Sequence, residues 1–167
     1  MIGRYQKIIN IIKSLYGSPA SERRILRKID AFLSYRRSGG IEIAWALKTL
    51  LEKKNKKVFL DYDSLKSGKF NIQILESIKK SKTFIIILSP GSLSRCCNED
   101  DWIRQEIKAA LSHNIKILPL FTDGFDYKDL INLPEEIKEL ANFQGITLNY
   151  EYLYATVEKV SKYIEET

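Results

Sequence analysis

One run of residues constrains the fold more than any other part of the sequence. Residues 83–88 read Thr-Phe-Ile-Ile-Ile-Leu, with five apolar side chains in succession. A strand with one face in water alternates apolar and polar residues, whereas a near-continuous apolar run is typical of a strand covered on both faces. Such strands lie in parallel sheets with helices on each side. The run therefore predicts a strand inside an α/β sandwich.

Strand and helix patterns alternate along the rest of the chain. The other predicted strands are residues 29–35, 57–61, 115–121 and 146–148, and the predicted helices are residues 40–51, 72–78, 99–111, 133–140 and 150–164. Five strands that alternate with five helices predict a three-layer α/β sandwich with a parallel sheet. Because crossovers between parallel strands are right-handed, the natural strand order is the flavodoxin-like 2-1-3-4-5.

Residues 1–28 read as a separate basic arm. Apolar residues recur at helical spacing from Tyr5 to Leu15, and Gly17-Ser18-Pro19 would end that helix. The arm contains seven lysines and arginines against one glutamate, so it accounts for the whole formal net charge of +6. A basic arm on a neutral domain is weak evidence for nucleic-acid binding. We expect a solvated helical arm (residues 1–28), one domain (residues 29–167) and no nucleic-acid partner.

The length of 167 residues suits one domain, which buries about 70% of its unfolded surface and needs no disulfide or metal to fold. No apolar run approaches the ~20 residues of a membrane span, and the first residues lack a signal-peptide core. The cysteines, Cys96 and Cys97, are adjacent, so they would bridge only with strain and lack the CxxC spacing of a zinc site. We therefore expect a cytoplasmic protein with no membrane span and no bound metal.

The strand order predicts where a ligand would bind. In sheets of this kind ligands lie beyond the carboxyl ends of the strands, at the switch point between strands 1 and 3. Arginine suits phosphate groups because its guanidinium offers forked donors, and a glycine pair at a helix start exposes backbone N–H groups to anions. The residues expected at this rim are Tyr35, Arg36, Arg37, Gly39, Gly40, Asp61, Trp102 and Glu106.

The residues alone leave their roles open. Trp102 and Glu106 are four residues apart and share a helix face. They could be an aromatic wall beside a catalytic carboxylate, or a core anchor beside a solvated acid. The spacing alone favours the second alternative. Arg36 and Arg37 suit either a phosphate or a surface ion pair. Neither GxGxxG nor GxxxxGK[ST] occurs, so an ordinary dinucleotide fingerprint and a P-loop are not expected. His113 lies near a helix end, where contact with terminal carbonyls is expected.

Several segments in order resemble the TIR (Toll/interleukin-1 receptor) domain family. Residues 30–37, Asp-Ala-Phe-Leu-Ser-Tyr-Arg-Arg, resemble its first box, and residues 59–70 resemble its BB loop. Residues 88–93 followed by 101–107 resemble the segment that carries the catalytic glutamate in NAD-cleaving TIR domains, such as that of the animal axon-degeneration NADase. Residues 142–152 continue the likeness, which covers about Asp30 to Glu165.

The resemblance implies a flavodoxin-like fold and cleavage of the nicotinamide–ribose bond of NAD+. The products would be nicotinamide with ADP-ribose or a cyclic isomer, NAD+ would be the substrate, and no cofactor or metal is implied. Carried over by position, the catalytic carboxylate would be Glu106, the pocket wall Trp102, the substrate border Tyr35, Arg36 and Arg37, and the strand-2 end and BB loop Asp61, Ser64 and Gly68.

The family also implies self-association through the BB loop, here Ser64 to Phe70. The loop departs from the animal enzyme, which has a basic residue at Ser64 and an acidic one at Lys66. The alternative to an enzyme is a non-catalytic TIR–TIR interaction module or a virulence-type adaptor mimic. We expect a prokaryotic source, where the family implies immune or antiphage defence for a short TIR enzyme.

Overall fold

The structure, a computed structural model, describes residues 29–60 and 68–166. The predicted arm (residues 1–28), Asp61 and Ser64 lie outside this description. The strands in the described part are β1 (Ile29–Tyr35), β2 (Val58–Leu60), β3 (Ser81–Leu88), β4 (Lys116–Phe121) and β5 (Ile146–Thr147). They form one sheet in the order β2-β1-β3-β4-β5, with every neighbouring pair parallel. The predicted fold and strand order are confirmed.

The α-helices of the described part differ from the prediction mainly at their ends. They are α1 (Arg37–Lys53), α2 (Gly68–Lys79), α3 (Trp102–Ser112) and α4 (Leu153–Glu165), with 3₁₀ segments at Tyr127–Leu130, Glu135–Asn142 and Tyr150–Tyr152. The start of α1 is broken, because Ser38 and Gly39 leave helical geometry and Gly39 has a φ of 82°. The helix predicted at residues 133–140 is a 3₁₀ helix, and α3 starts later than predicted because Asp101 is its N-cap.

The side chains of β3 alternate between two separate cores, as its apolar run predicts. Phe84, Ile86 and Leu88 pack with residues of α2 and α3 on one face of the sheet. Ile85 and Ile87 pack with residues of α1 and α4 on the other face. All five are at most 1% exposed. At about 1.5–3 kcal/mol for each buried large apolar side chain, β3 is a main source of stability for both layers.

A close contact at the entrance to β5 admits only glycine. A Cβ atom added to Gly145 would lie 2.4 Å from a ring carbon of Phe121 and 2.6 Å from the carbonyl oxygen of Pro119. Backbone cannot move aside as a flexible side-chain end does. The last strand therefore needs a residue with no side chain to approach β4.

Gly145→Ala is expected to destabilise the protein by about 1–3 kcal/mol through this overpacking. Urea unfolding followed by circular dichroism measures the change. Gly91→Ala is the control, because Gly91 has a φ of 71° but open space around its Cβ position, so its cost of about 1–2 kcal/mol comes from backbone strain alone. A wild-type unfolding midpoint for Gly145→Ala would contradict the packing argument.

Candidate functional site

A cleft of about 190 Å³ lies at the carboxyl end of β1, between the β1–α1 connection and the first turn of α3. This is the switch point, since β1 pairs with β2 on one side and β3 on the other. The structure brings five of the predicted site residues together here, while Gly68 is the first residue of α2. The cleft is lined by Leu33, Tyr35, Arg36, Arg37, Ser38, Arg95, Trp102, Ile103 and Glu106.

The carboxylate of Glu106 lies inside the cleft rather than in solvent. Glu106 is 3% exposed, and its Oε2 accepts a hydrogen bond of 2.5 Å from Ser34 Oγ. Ser34 belongs to β1 and is itself buried. The interpretation of Glu106 as a solvated surface acid is therefore wrong.

Sequence reasoning overlooked Ser34. The available signal was a hydroxyl inside the otherwise apolar run Ala31-Phe32-Leu33-Ser34. A buried hydroxyl needs a partner. Nothing in the sequence indicates that this partner lies 72 positions away.

Trp102 lies where both of its predicted roles would place it. It is the first residue of α3, one turn before Glu106, and it is half-buried. It packs against the core on the α2–α3 face of the sheet and also lines the cleft. Its Nε1 atom is buried and makes no hydrogen bond. Since an indole nitrogen only donates, the ring holds its place by packing rather than by polar contacts.

The guanidinium of Arg36 is held inside the protein. Nη1 and Nη2 donate to the two carboxylate oxygens of Asp101 at 2.8 and 2.9 Å, and Nε donates to the carbonyl oxygen of Ser92 at 3.0 Å. The side chain of Arg36 is 10% exposed and that of Asp101 is 5% exposed. Of the two alternatives for Arg36, the structure shows an ion pair, but a buried one. Arg36 also lines the cleft. That it borders a substrate there stays a prediction.

Asp101 joins this pair to α3. Its side chain caps the helix by accepting the backbone N–H of Arg104, and it also accepts the thiol of Cys96. Burial raises the pKa of the Asp101 carboxyl. Hydrogen bonds and charge from Arg36, together with the Arg104 N–H, outweigh burial and hold the pKa below its ordinary value of 3.8. Asp101 is therefore ionised at neutral pH.

This lowered pKa makes stability depend on acid. A carboxyl with a folded pKa below the unfolded value contributes stability that is complete above pH 3.8 and is lost as pH falls through the folded pKa. The difference in unfolding free energy between wild type and Asp101→Asn is thus expected to be constant from about pH 5 to 8 and to shrink towards pH 2. Urea titrations at stepped pH measure it. A difference that grows in acid would contradict the assignment.

Two further cations stand at the rim. Arg37 is exposed, and the side chain of Arg95 is 69% exposed, with its Nε 4.0 Å from an Asp101 oxygen. Sequence reasoning missed Arg95, whose signal was its place in the connection after β3. The cleft therefore has a buried carboxylate inside and exposed guanidinium groups at its mouth. This polarity suits a ligand with a cationic end and an anionic phosphate portion.

Most of the chain matches the model of one protein family. The model of the TIR domain family matches residues 31–160. The chain belongs to the TIR domain family. The buried Glu106 and the half-buried Trp102 both lie within the matched region of this TIR domain.

The TIR domain is similar to larger curated proteins. It is 36% identical over 163 residues to "NAD(+) hydrolase sarm1" of Drosophila melanogaster, covering 95% of this chain and 12% of that protein. It is 36% identical to "NAD(+) hydrolase tir-1" of Caenorhabditis elegans and 35% identical to "NAD(+) hydrolase SARM1" of Danio rerio, covering 83% and 81% of this chain. It spans only 14% and 19% of those two relatives.

Solved structures share the fold of this TIR domain. The TIR domains of the activated Roq1 resistosome superpose with a TM-score of 0.61 at 19% identity, covering 80% of this chain and 98% of that one. The TIR domain of the Toll-related receptor TRR-2 from Hydra magnipapillata superposes with a TM-score of 0.60 at 16% identity, covering 83% and 99%. Both confirm the flavodoxin-like architecture.

Other groups in the TIR domain offer little chemistry. Cys96 and Cys97 are free, and burial, followed by the charge of Asp101, raises the pKa of the Cys96 thiol to about 12. His113 closes α3 and contacts the carbonyl oxygen of Ala109 at 2.8 Å, as predicted. Residues 29–60 and 68–166 contain no cluster of three metal-binding side chains. Over the same residues, every helix is too short or too polar to cross a membrane.

Proposed function

We propose that this TIR domain is an NAD+ glycohydrolase that cleaves the nicotinamide–ribose bond. The observation that carries the proposal is the buried carboxylate of Glu106, held by Ser34 inside a cleft with exposed arginines at its mouth. Identity of 35–36% to three proteins named NAD(+) hydrolases supports it. NAD+ has the matching polarity, with a cationic nicotinamide ring at one end and a pyrophosphate beyond its ribose.

The reaction asks for little more than one fixed negative charge. The electron pair of the C1′–N bond leaves with nicotinamide, which departs neutral and needs no general acid. Positive charge then develops on the ribose carbon and its ring oxygen. Glu106 stabilises that charge and accepts hydrogen bonds from the ribose, as one half of a glycosidase carboxylate pair does. A water oxygen bonds to C1′ and releases one proton, giving ADP-ribose.

Burial makes the Glu106 charge more effective. A carboxylate in water is screened, whereas one at low local dielectric interacts several times more strongly with a charge at the same distance. The hydrogen bond from Ser34 fixes its position before the substrate arrives, so no reorganisation is needed during the reaction. Trp102, one turn away, offers an aromatic surface for the flat nicotinamide ring.

The cleft is smaller than the substrate requires. Pockets for small ligands usually enclose about 300–1,000 Å³, against about 190 Å³ here. The cleft therefore suits the nicotinamide riboside end alone, with the phosphates near Arg37 and Arg95. The rest of the pocket would come from the BB loop, Ser64 to Phe70, supplied by a second copy of the chain. Self-association would then complete each site.

A composite site predicts that specific activity rises with protein concentration. It also predicts partial rescue when Glu106→Gln protein is mixed with a variant whose residues 64–67 are replaced by a Gly/Ser stretch, since one chain supplies the loop and the other the carboxylate. Gly68→Pro is a poorer loop variant, because Gly68 starts α2 and proline is tolerated at the first helical position. Flat specific activity from nanomolar to high micromolar protein, with no rescue, would show that one chain suffices.

Chromatography of NAD+ incubated with the purified protein tests the function directly. Release of nicotinamide with ADP-ribose supports hydrolysis, and a cyclic isomer would show capture of C1′ by another part of the same ADP-ribose. Either product would suit NAD+ depletion or nucleotide signalling in immune or antiphage defence. A protein that assembles at high concentration but releases no nicotinamide would instead be the non-catalytic interaction module.

A further inference from the structure

β1 and the residue that follows it contact α3 and its N-cap at two places in register. Ser34 donates to Glu106, and two residues later Arg36 pairs with Asp101. The two residue steps of extended chain from Ser34 to Arg36 span about 6.6 Å, and the five residue steps from Asp101 to Glu106 span about 7.5 Å at the helical rise, so the two contacts run side by side. The end of the strand and the residue after it therefore hold α3 at its N-cap and at its fifth residue.

We propose that Arg36 and Asp101 are positioning residues that hold Trp102 and Glu106 in working geometry. This inference rests on the proposed function for its catalytic consequence. Two donors of Arg36 bind Asp101, the N-cap of α3, and a third binds the carbonyl oxygen of Ser92 in the connection before α3. Asp101 immediately precedes Trp102 in the chain and caps the helix that carries Glu106. Displacement of Asp101 would therefore displace both residues.

The paired contacts are of the kind that fixes orientation. A forked guanidinium–carboxylate pair sets angle as well as distance, since both bonds must be met together. Asp101 has only 5% side-chain exposure, so water offers it little replacement. By contrast, the other arginine pair of α3, between Arg104 and Glu136, lies beyond the cleft lining and includes a partly exposed glutamate.

Asp101→Asn is the sharpest test. Its amide oxygen still accepts the Arg104 N–H and one Arg36 donor, so the helix cap remains, but its amide nitrogen faces the other Arg36 donor. We expect kcat for NAD+ to fall about 100-fold, as for a misplacement near 1 Å. KM should change by less than about threefold, because little uniform binding is lost. Arg36→Lys, which keeps the charge but loses the fork, should show a smaller kcat loss and guards against a failure of Asp101→Asn to fold.

Two controls separate positioning from stability. Glu136→Gln makes the same carboxylate-to-amide change opposite Arg104, which lies on α3. Val160→Ala removes buried volume from the core on the opposite face of the sheet and costs stability away from the cleft. Both are expected to keep wild-type kcat when assayed well below their melting temperatures.

A spectroscopic readout works without any enzyme activity. The chain has two tryptophans, so Trp102 alone reports in a Trp45→Phe background. Its emission should shift to the red in Asp101→Asn and stay unchanged in Glu136→Gln. Wild-type kcat in both Asp101→Asn and Arg36→Lys, or a loss expressed in KM alone, would overturn the proposal. If the wild type cleaves no NAD+, the proposed function fails, and the emission decides alone: a shift supports positioning and no shift overturns it.

Discussion

Replacing Glu106 with glutamine is expected to slow nicotinamide release by about 100-fold or more while the protein stays folded. Glutamine keeps the size of the side chain, and its amide oxygen still accepts the hydrogen bond from Ser34. What is lost is the negative charge facing the cationic transition state. The activation free energy then rises by a few kcal/mol, at about 1.4 kcal/mol for each tenfold loss of rate. Chromatographic initial rates and a circular dichroism melt measure both effects.

Glu158→Gln is the matched control for this prediction. It makes the same chemical change on α4, where Glu158 pairs with Lys54 at the surface. We expect its nicotinamide release to equal that of the wild type. Glu106→Gln protein that cleaves NAD+ at the wild-type rate would show that another group supplies the charge.

Arg36→Met is expected to destabilise the protein by about 3–5 kcal/mol, because it leaves the Asp101 carboxylate buried without its partner. Methionine fills much of the space of the arginine stem, so the effect isolates the lost charge and its donors. Urea unfolding at pH 7 measures the change. A loss under about 1 kcal/mol, the usual value of an exposed pair, would mean that solvent reaches Asp101 freely.

Two further variants define the origin of that effect. Lys54→Met removes the cation of the exposed pair with Glu158 and should cost at most about 1 kcal/mol. The double variant Arg36→Met/Asp101→Asn removes the stranded charge and should recover part of the loss. An additive double variant would show that the two side chains do not depend on each other.

The order of the sheet could be predicted from sequence because burial on both faces leaves a direct pattern. A buried parallel strand such as β3 must be apolar at consecutive positions, and right-handed crossovers leave few ways to connect such strands. Helix ends were harder. Apolar spacing at residues 133–140 does not distinguish a 3₁₀ from an α-helix. The helix predicted at residues 99–111 includes Asp101, whose side chain instead caps the helix.

The site was predictable as a place and as a set of residues, but not as a set of contacts. Spacing along α3 puts Trp102 and Glu106 on one face. Their surroundings depend on residues far away in sequence: Ser34 is 72 positions from Glu106, and Arg36 is 65 from Asp101. A single sequence does not report such pairs. For that reason only the structure shows that Glu106 is buried and that Arg36 forms a buried ion pair with Asp101.

The two ends of β1 lie at opposite ends of the sheet, and only one of them is at the cleft. The strand starts at Ile29, opposite Ser81, and ends at Tyr35 in the cleft. Seven residues of strand separate these ends by about 20 Å. A dye or immobilising group attached at Ile29 therefore lies at the end of the sheet opposite the cleft. A label placed on the exposed Arg95, by contrast, would sit at its mouth.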